Sequence, residues 1–178
     1  LLHRRRTGEG QYVDMSMQEA CAAFIGDEGM RYQATGVAPG PRGNRNPAYA
    51  PHGVYPAAGD DQWVALAAPD DAAWAAVAGV LGSAVDDPRF ATAAGRLENE
   101  DALDAAIAAA TAGRSKDDLA NALARAGAIA APVLTAAEVA ADAGLAERGV
   151  LRTVGHSLAG DATQAGLPLR TSGPLPEW

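Results

Sequence analysis

The stretch from Gly36 to Gly53 restricts this fold more than any other. It holds Pro39, Gly40, Pro41, Gly43, Pro47 and Pro51 and shows no apolar period. Glycine and proline punctuate a chain, so neither a helix nor a strand runs through it. Regular elements must therefore lie on either side. A loop this long inside a compact protein is either functional or a linker, and composition leaves both open. Gly and Asn in it tolerate positive φ and let a backbone come close to a ligand.

Upstream, Gln11 to Asp14 alternates polar and apolar, which predicts a short strand. Ser16 makes an N-cap and Glu19 follows three residues later, the spacing of a capping box. A helix is expected from Met17 to about Tyr32. Downstream, Gly53–Pro56 and Gln62–Ala68 read as two strands around the turn residues Gly59-Asp60-Asp61. The continuous apolar run Trp63-Val64-Ala65-Leu66-Ala67 should be mostly buried. A helix follows over 71–81, capped by Asp70 or Asp71, with Trp74, Val77, Val80 and Leu81 on one face.

Pro88 opens a short helix that runs to about Arg96, with Phe90 as its anchor. Asn99 is expected to cap the next helix, whose buried stripe is Leu103, Ile107 and Ala110. Ser115 caps another, with Leu119 and Leu123 inside and Gly127 at its end. Ala131–Leu134 reads as a short strand, and Thr135 with Glu138 as a capping box on a last short helix. From Val150 to Trp178 the chain reads as extended and irregular. This order predicts an α+β fold of helices and antiparallel strands, not an alternating parallel sheet.

Charge and residue usage exclude several functions. A net charge of −8 argues against nucleic acid and against an anionic membrane surface. No apolar run approaches the ~18 to 20 residues of a membrane helix. The one cysteine, Cys21, forms no intrachain disulfide and is expected to pack as a small hydrophobe in the first helix. A reduced, cytoplasmic protein is the default. His3, His52 and His156 stand far apart, so no metal-ligand spacing exists. No phosphate loop, dinucleotide fingerprint or nucleophile elbow is present. His156 and Ser157 are neighbours, but a nucleophile and its base are recognised by geometry, not adjacency. Glu98, Asp101 and Asp104 gather near a helix start, where carboxylates suit the helix dipole and a solvated face is expected. Arg4-Arg5-Arg6 reads first as a solvated turn and second as a phosphate contact.

The segment Arg4 to Ala20, RRRTGEGQYVDMSMQEA, resembles the pattern R-x-x-T-G-x-G-Q-x-V-D-V-S-x-x-E-A of the family III CoA-transferases, the CaiB/BaiF group. Gly43 to Pro56 is similar to that family's G-N-x-x-P-x-x-A-P-x-G-x-Y-P, and Asp61 to Ala67 to its D-x-W-V-A-L-A. Further matches follow in the family's order: Asp86 to Phe90, Gly127 through Pro132-Val133, Arg148 to Leu151, His156 to Gly160 and Gly166 to Pro174.

The resemblance implies a large Rossmann-like domain, a small α+β domain and two linkers, in homodimers whose chains interlock. On this chain it places the closing edge of the large domain at 1–35 and the linker and active-site loop at 36–53. It puts the small domain at 54–130, and the return linker with a final large-domain contact at 131–178. It implies CoA transfer between carboxylic acids through an aspartyl intermediate. The family's first pattern lies in mid-polypeptide, so the nucleophilic Asp is expected before Leu1. Acyl-CoA and carboxylic acids are the expected substrates, with no metal and no permanently bound cofactor. The mobile loop that closes over the family's site maps to Gly43, Asn44, Arg45, Asn46, Pro47, Ala50 and Pro51, the expected substrate-binding residues. Its backbone N–H groups are expected to face the developing oxyanion or the thioester. This loop lacks the glycine run of the formyl/oxalate branch, so that substrate pair is not expected. Asp70 falls where the racemase branch carries an acidic residue. It is the one catalytic candidate under that alternative, although Asp is also strongly preferred as a helix cap. The remaining alternative is a non-catalytic half that pairs with a complete subunit.

Overall fold

A computed structural model describes residues 1–166, 168–169 and 172–173. Leu167, Arg170, Thr171 and Pro174 of the last matched segment therefore lie outside the described residues. The chain divides into two compact units, Leu1–Gly43 and Asn44–Trp178.

The first unit contains α1 (Leu2–Thr7), α2 (Met17–Phe24) and α3 (Gly26–Thr35), none with a buried residue. Ser16 caps α2 as expected, its Oγ accepting from the Glu19 N–H at 3.3 Å, but the reciprocal half of the box is not made. The expected single helix is broken at Ile25, where φ is −100° and ψ is 22°. Gly26 follows at once, and glycine is a poor helix former. The expected strand at Gln11–Asp14 does not form among the described residues. A strand needs a neighbour to take its hydrogen bonds, and this unit supplies none. Cys21 is exposed, contrary to the expected packing, because α2 has no core to face.

The second unit is built on β1 (His52–Pro56), β2 (Trp63–Ala67) and β3 (Ile129–Pro132), an antiparallel sheet in the order β1-β2-β3. The hairpin register pairs His52 with Ala67 and Pro56 with Trp63. The sheet is followed through the chain by α4 (Asp71–Leu81), 3-10 turns at Gly82–Val85 and Pro88–Phe90, α5 (Ala93–Glu98), α6 (Glu100–Thr111) and α7 (Lys116–Arg125). Then come β3, α8 (Ala136–Ala141), α9 (Ala143–Glu147) and a hairpin of β4 (Leu151–His156) and β5 (Gly160–Ala165).

Period two sorts the sheet into faces. Tyr55, Val64 and Leu66 point inward and are buried with Trp74, Val77, Phe90, Leu103, Ile107, Leu119 and Leu123. α6 lies against β1, and α7 against β2 and β3. The opposite face carries Val54, Trp63 and Ile129, all exposed, so only one face of β2 is buried, not the whole apolar run. Each buried Leu or Ile contributes about 1.5–3 kcal/mol, enough for a small core despite the abundance of Ala.

Local chemistry sets the helix ends. The Asp70 side chain accepts from the Ala73 N–H at 2.8 Å and caps α4. Asp87 does the same for the Pro88 turn, accepting from Arg89 N at 2.9 Å. The short helix expected from Pro88 is divided, because Thr92 starts a second cap on Gly95 at 3.1 Å. Gly95 has no room for a side chain: a Cβ would stand 2.3 Å from the Arg89 carbonyl oxygen. Asn99 does not cap α6 with its side chain; its Nδ2 donates backwards to the Gly95 carbonyl at 2.8 Å. Thr135 and Glu138 form the full capping box on α8.

The last hairpin replaces the irregular tail expected after Val150. Its turn is tied by the His156 ring, whose Nδ1 accepts from the N–H groups of Leu158 at 3.2 Å and Ala159 at 3.1 Å. The chain has a single lysine, Lys116. It is 4% exposed and donates to the Val133 carbonyl at 3.0 Å and to Glu138 Oε2 at 2.8 Å. Among the described residues, no helix is long and apolar enough to cross a membrane.

Candidate functional site

The candidate loop is 44–51, which runs straight into β1. Asn44, Pro47 and Ala48 are exposed, Arg45, Asn46 and Tyr49 half-buried, and Ala50 and Pro51 buried. Gly43 ends the first unit with φ +63°, the left-handed conformation that favours glycine. Asn46 folds the loop on itself, its Oδ1 accepting from the Ala48 N–H at 2.9 Å. This is the local turn that Asn favours. His52 Nδ1 hydrogen-bonds the Asn44 carbonyl, and the Tyr49 ring meets the His52 ring edge-on at 5.5 Å.

Two arginines tie the loop down. Arg45 reaches α6, where its Nη2 donates to Asp101 Oδ1 at 2.6 Å and to Asp104 Oδ2 at 2.7 Å. Its Nε donates to Asp104 Oδ2 at 3.0 Å and lies 3.7 Å from Glu100 Oε2. The Asp101 hydrogen bond, followed by that to Asp104, raises the Arg45 pKa further above an already high value. Arg96 holds the other end. It has no solvent exposure, and its Nε donates to the Ala50 carbonyl at 2.8 Å. Its Nη1 donates to the Phe90 carbonyl at 3.2 Å and its Nη2 to Asp71 Oδ1 at 2.8 Å, with the guanidinium 5.5 Å from the Trp74 ring centroid. A planar fork with five donors suits this three-way task, which an ammonium would not match.

Tyr55 completes the network from beneath. It is 4% exposed, and its Oη donates to Asp104 Oδ1 at 2.7 Å. Burial first, and the Asp104 carboxylate second, push the phenol well above its ordinary range. Gly53 makes this reach possible: a Cβ there would stand 3.0 Å from Tyr55 Cζ and Oη. The two residues are i and i+2 on one strand, so they share a face. The Gly-x-Tyr spacing was the available sequence signal for this pair. The sequence reading missed Tyr55, Asp104 and Arg96. Of the three carboxylates expected on a solvated face, Glu98 and Asp101 are exposed, Asp101 while paired with Arg45, and Asp104 is half-buried between Arg45 and Tyr55.

The expected substrate-binding residues thus divide. Gly43, Asn44, Asn46 and Pro47 lie on the accessible part of the loop or at its entrance. Arg45 is committed to α6, and Ala50 and Pro51 face the core with both carbonyls taken, Pro51 O accepting from Ala68 N at 2.9 Å. Asp70 caps α4 through the hydrogen bond it accepts from the Ala73 N–H. A cavity of about 260 Å³ opens beside the loop on the outer face of the sheet. His52, Val54, Ala65, Ala67, Ile129 and Ala131 are among the residues that line it. Among the described residues, no group of three or more His, Cys, Asp or Glu could hold a metal.

Comparison with known proteins gives this arrangement a context. The chain is 33% identical over 165 residues to the probable CoA-transferase Rv1866 of Mycobacterium tuberculosis, covering 89% of this chain and 20% of that protein. It is 35% identical over 144 residues to the succinyl-CoA–D-citramalate CoA-transferase of Chloroflexus aurantiacus, covering 80% and 36%. The crystal structure of a CaiB/BaiF family protein from Brucella suis superposes with a TM-score of 0.79 at 30% identity, over 96% of this chain and 44% of that one. The chain thus spans less than half the length of each of these proteins. The model of CoA-transferase family III matches residues 1–176, and the chain belongs to that family.

Proposed function

We propose that this chain supplies the substrate loop of an acyl-CoA:carboxylate CoA-transferase. The loop 44–51 meets the acyl-CoA. The chemistry runs through an aspartyl intermediate on an Asp in sequence outside residues 1–178, within a large Rossmann-like domain of which residues 1–35 form an edge. The working enzyme is a cytoplasmic homodimer that uses CoA thioesters as substrates and keeps no cofactor. The chain alone is inactive.

The observation that carries this reading is a loop fixed at both ends on a folded support, with Asn44, Pro47 and Ala48 exposed. The N–H groups of Asn46 and Tyr49 have no partner among the described residues. Fixed, unpaired N–H groups are what stabilise an oxyanion or a thioester carbonyl as charge develops, since they need no reorganisation. Family membership supplies the reaction class. Asp70, the residue the racemase alternative would use, is engaged as the cap of α4, which supports the transferase reading.

The test is a CoA-transfer assay with succinyl-CoA as donor and a panel of carboxylic acids. It is run on the chain alone and with a polypeptide carrying the remaining part of a family member. No transfer alone and transfer on completion is the expected pattern. Turnover by the chain alone, or none on completion with any acid, overturns the proposal.

A further inference from the structure

We infer that Asp104 is a positioning residue that clamps the loop 45–51 to the helices, so that the loop moves with its support and not as a free flap. This rests on the reading of the loop as the substrate loop, and it departs from the mobile loop that resemblance implies.

The argument is one of connectivity. Asp104 accepts from three donor atoms with two oxygens: Oδ2 takes Arg45 Nε and Nη2, and Oδ1 takes Tyr55 Oη. It therefore joins the front of the loop, strand β1 and helix α6 at one carboxylate. The rear of the loop is closed independently by Arg96 on the Ala50 carbonyl and by Ala68 N on the Pro51 carbonyl. Between these anchors lie only four residues, Asn46 to Tyr49, and Asn46 braces Ala48 across them. A segment this short, fixed at both ends and braced inside, has few conformations left. Its ordering cost is met on folding and not on ligand binding, which is what preorganisation means for affinity. Tyr55 and Arg45 both donate, so both oxygens of residue 104 must accept. An amide there keeps the shape but turns one acceptor into a donor.

Trypsin reads this directly, because its target is the clamped side chain. Arg45 is bound to carboxylates, whereas Arg42 is exposed three residues before it. Initial cleavage rates after Arg42 and Arg45 are compared in the native chain and in a peptide spanning both sites. In the native chain the Arg42/Arg45 rate ratio should exceed the peptide's by tenfold or more. Asp104→Asn should bring it to within about threefold of the peptide ratio, and Asp104→Glu, which retains two acceptors, should restore most of it. Global unfolding would speed both cleavages together and return the peptide ratio. The folded fraction of each variant is therefore read by circular dichroism, and Tyr55→Phe, which removes one tie only, gives a second, milder variant with an intermediate ratio. A native ratio equal to the peptide's overturns the clamp, as does a ratio that Asp104→Asn leaves unchanged. Adding succinyl-CoA separates the two readings. If Asp104→Asn shifts the ratio but succinyl-CoA protects neither site in the completed enzyme, the clamp stands and the substrate role of the loop falls.

Discussion

Arg96 Nε and the Ala50 carbonyl oxygen are 2.8 Å apart, joining residues 46 positions apart in sequence inside a site closed to solvent. The candidate loop is thereby anchored through a backbone atom, so the anchor does not depend on which side chain occupies position 50. Arg96→Met keeps the volume but strips donors from the buried carbonyls of Ala50 and Phe90. The variant should lose about 3 kcal/mol, since each buried acceptor left unpaired costs about 1–3. Urea unfolding followed by circular dichroism measures it, and a loss under about 1 kcal/mol would mean that water replaces the guanidinium.

Gly53→Ala tests the approach of the Tyr55 ring. A methyl group 3.0 Å from Cζ and Oη forces the ring aside, and overpacking of this kind costs about 1–3 kcal/mol. The ring movement should also weaken the hydrogen bond to Asp104. An alkaline ultraviolet titration checks both effects. In the parent chain one of the four tyrosines should stay protonated past the ordinary range until the fold opens. The folded pKa is raised, so this contribution to stability is complete below the ordinary tyrosine range and is lost as pH rises through the folded value. Gly53→Ala should ionise at lower pH, and Tyr55→Phe should remove the late component.

Gly95→Ala should destabilise as much as a cavity in the core. The obstacle is the Arg89 backbone oxygen at 2.3 Å, which cannot swing away as a side-chain tip would. A loss of about 2 kcal/mol or more is expected in thermal or urea unfolding. Gly79→Ala on α4 is the control: nothing lies within 4 Å of its Cβ position, and exchange of a helical glycine for alanine should raise stability slightly.

The Lys116–Glu138 pair predicts a dependence on acid. The hydrogen bond from the Lys116 ammonium, and then that from the Thr135 N–H, draw the Glu138 carboxyl from its usual value of 4.5 down to about 2. Its folded pKa is depressed, so its stabilisation is present above the ordinary carboxyl range and is lost as pH falls through the folded value. Glu138→Gln should therefore reduce the fall in urea midpoint between pH 4.5 and about 2. An unchanged slope across that interval would show that the pair adds nothing to folding.

Local signals were read well and long-range ones poorly, for a physical reason. The hairpin, α4 and the Thr135 box depend on period, turn residues and caps within a few positions, and all three form in register with expectation. The unformed strand at Gln11–Asp14 turns on whether a neighbour exists, which no local window contains, whereas the break at Ile25 carried a local mark in Gly26. In the candidate site the loop was legible from its Gly, Asn and Pro content. Its anchors were not, because Arg96 and Asp104 lie 46 and 59 positions from the groups they hold at Ala50 and Arg45. Arginine and aspartate on helices carry no mark that separates a buried tie from a solvated face.

Lys116 has one more consequence. Apart from the amino terminus, the chain presents no primary amine to solvent, since its only lysine is 4% exposed and hydrogen-bonded to Glu138 and the Val133 carbonyl. An accessible, unprotonated amine is what attacks a thioester or an active ester, so the chain carries no open side-chain target for acylation. An amine-reactive reagent would accordingly report the opening of this one contact, and mass spectrometry would turn Lys116 into a clock for the unfolding of the sheet and helices that shelter it.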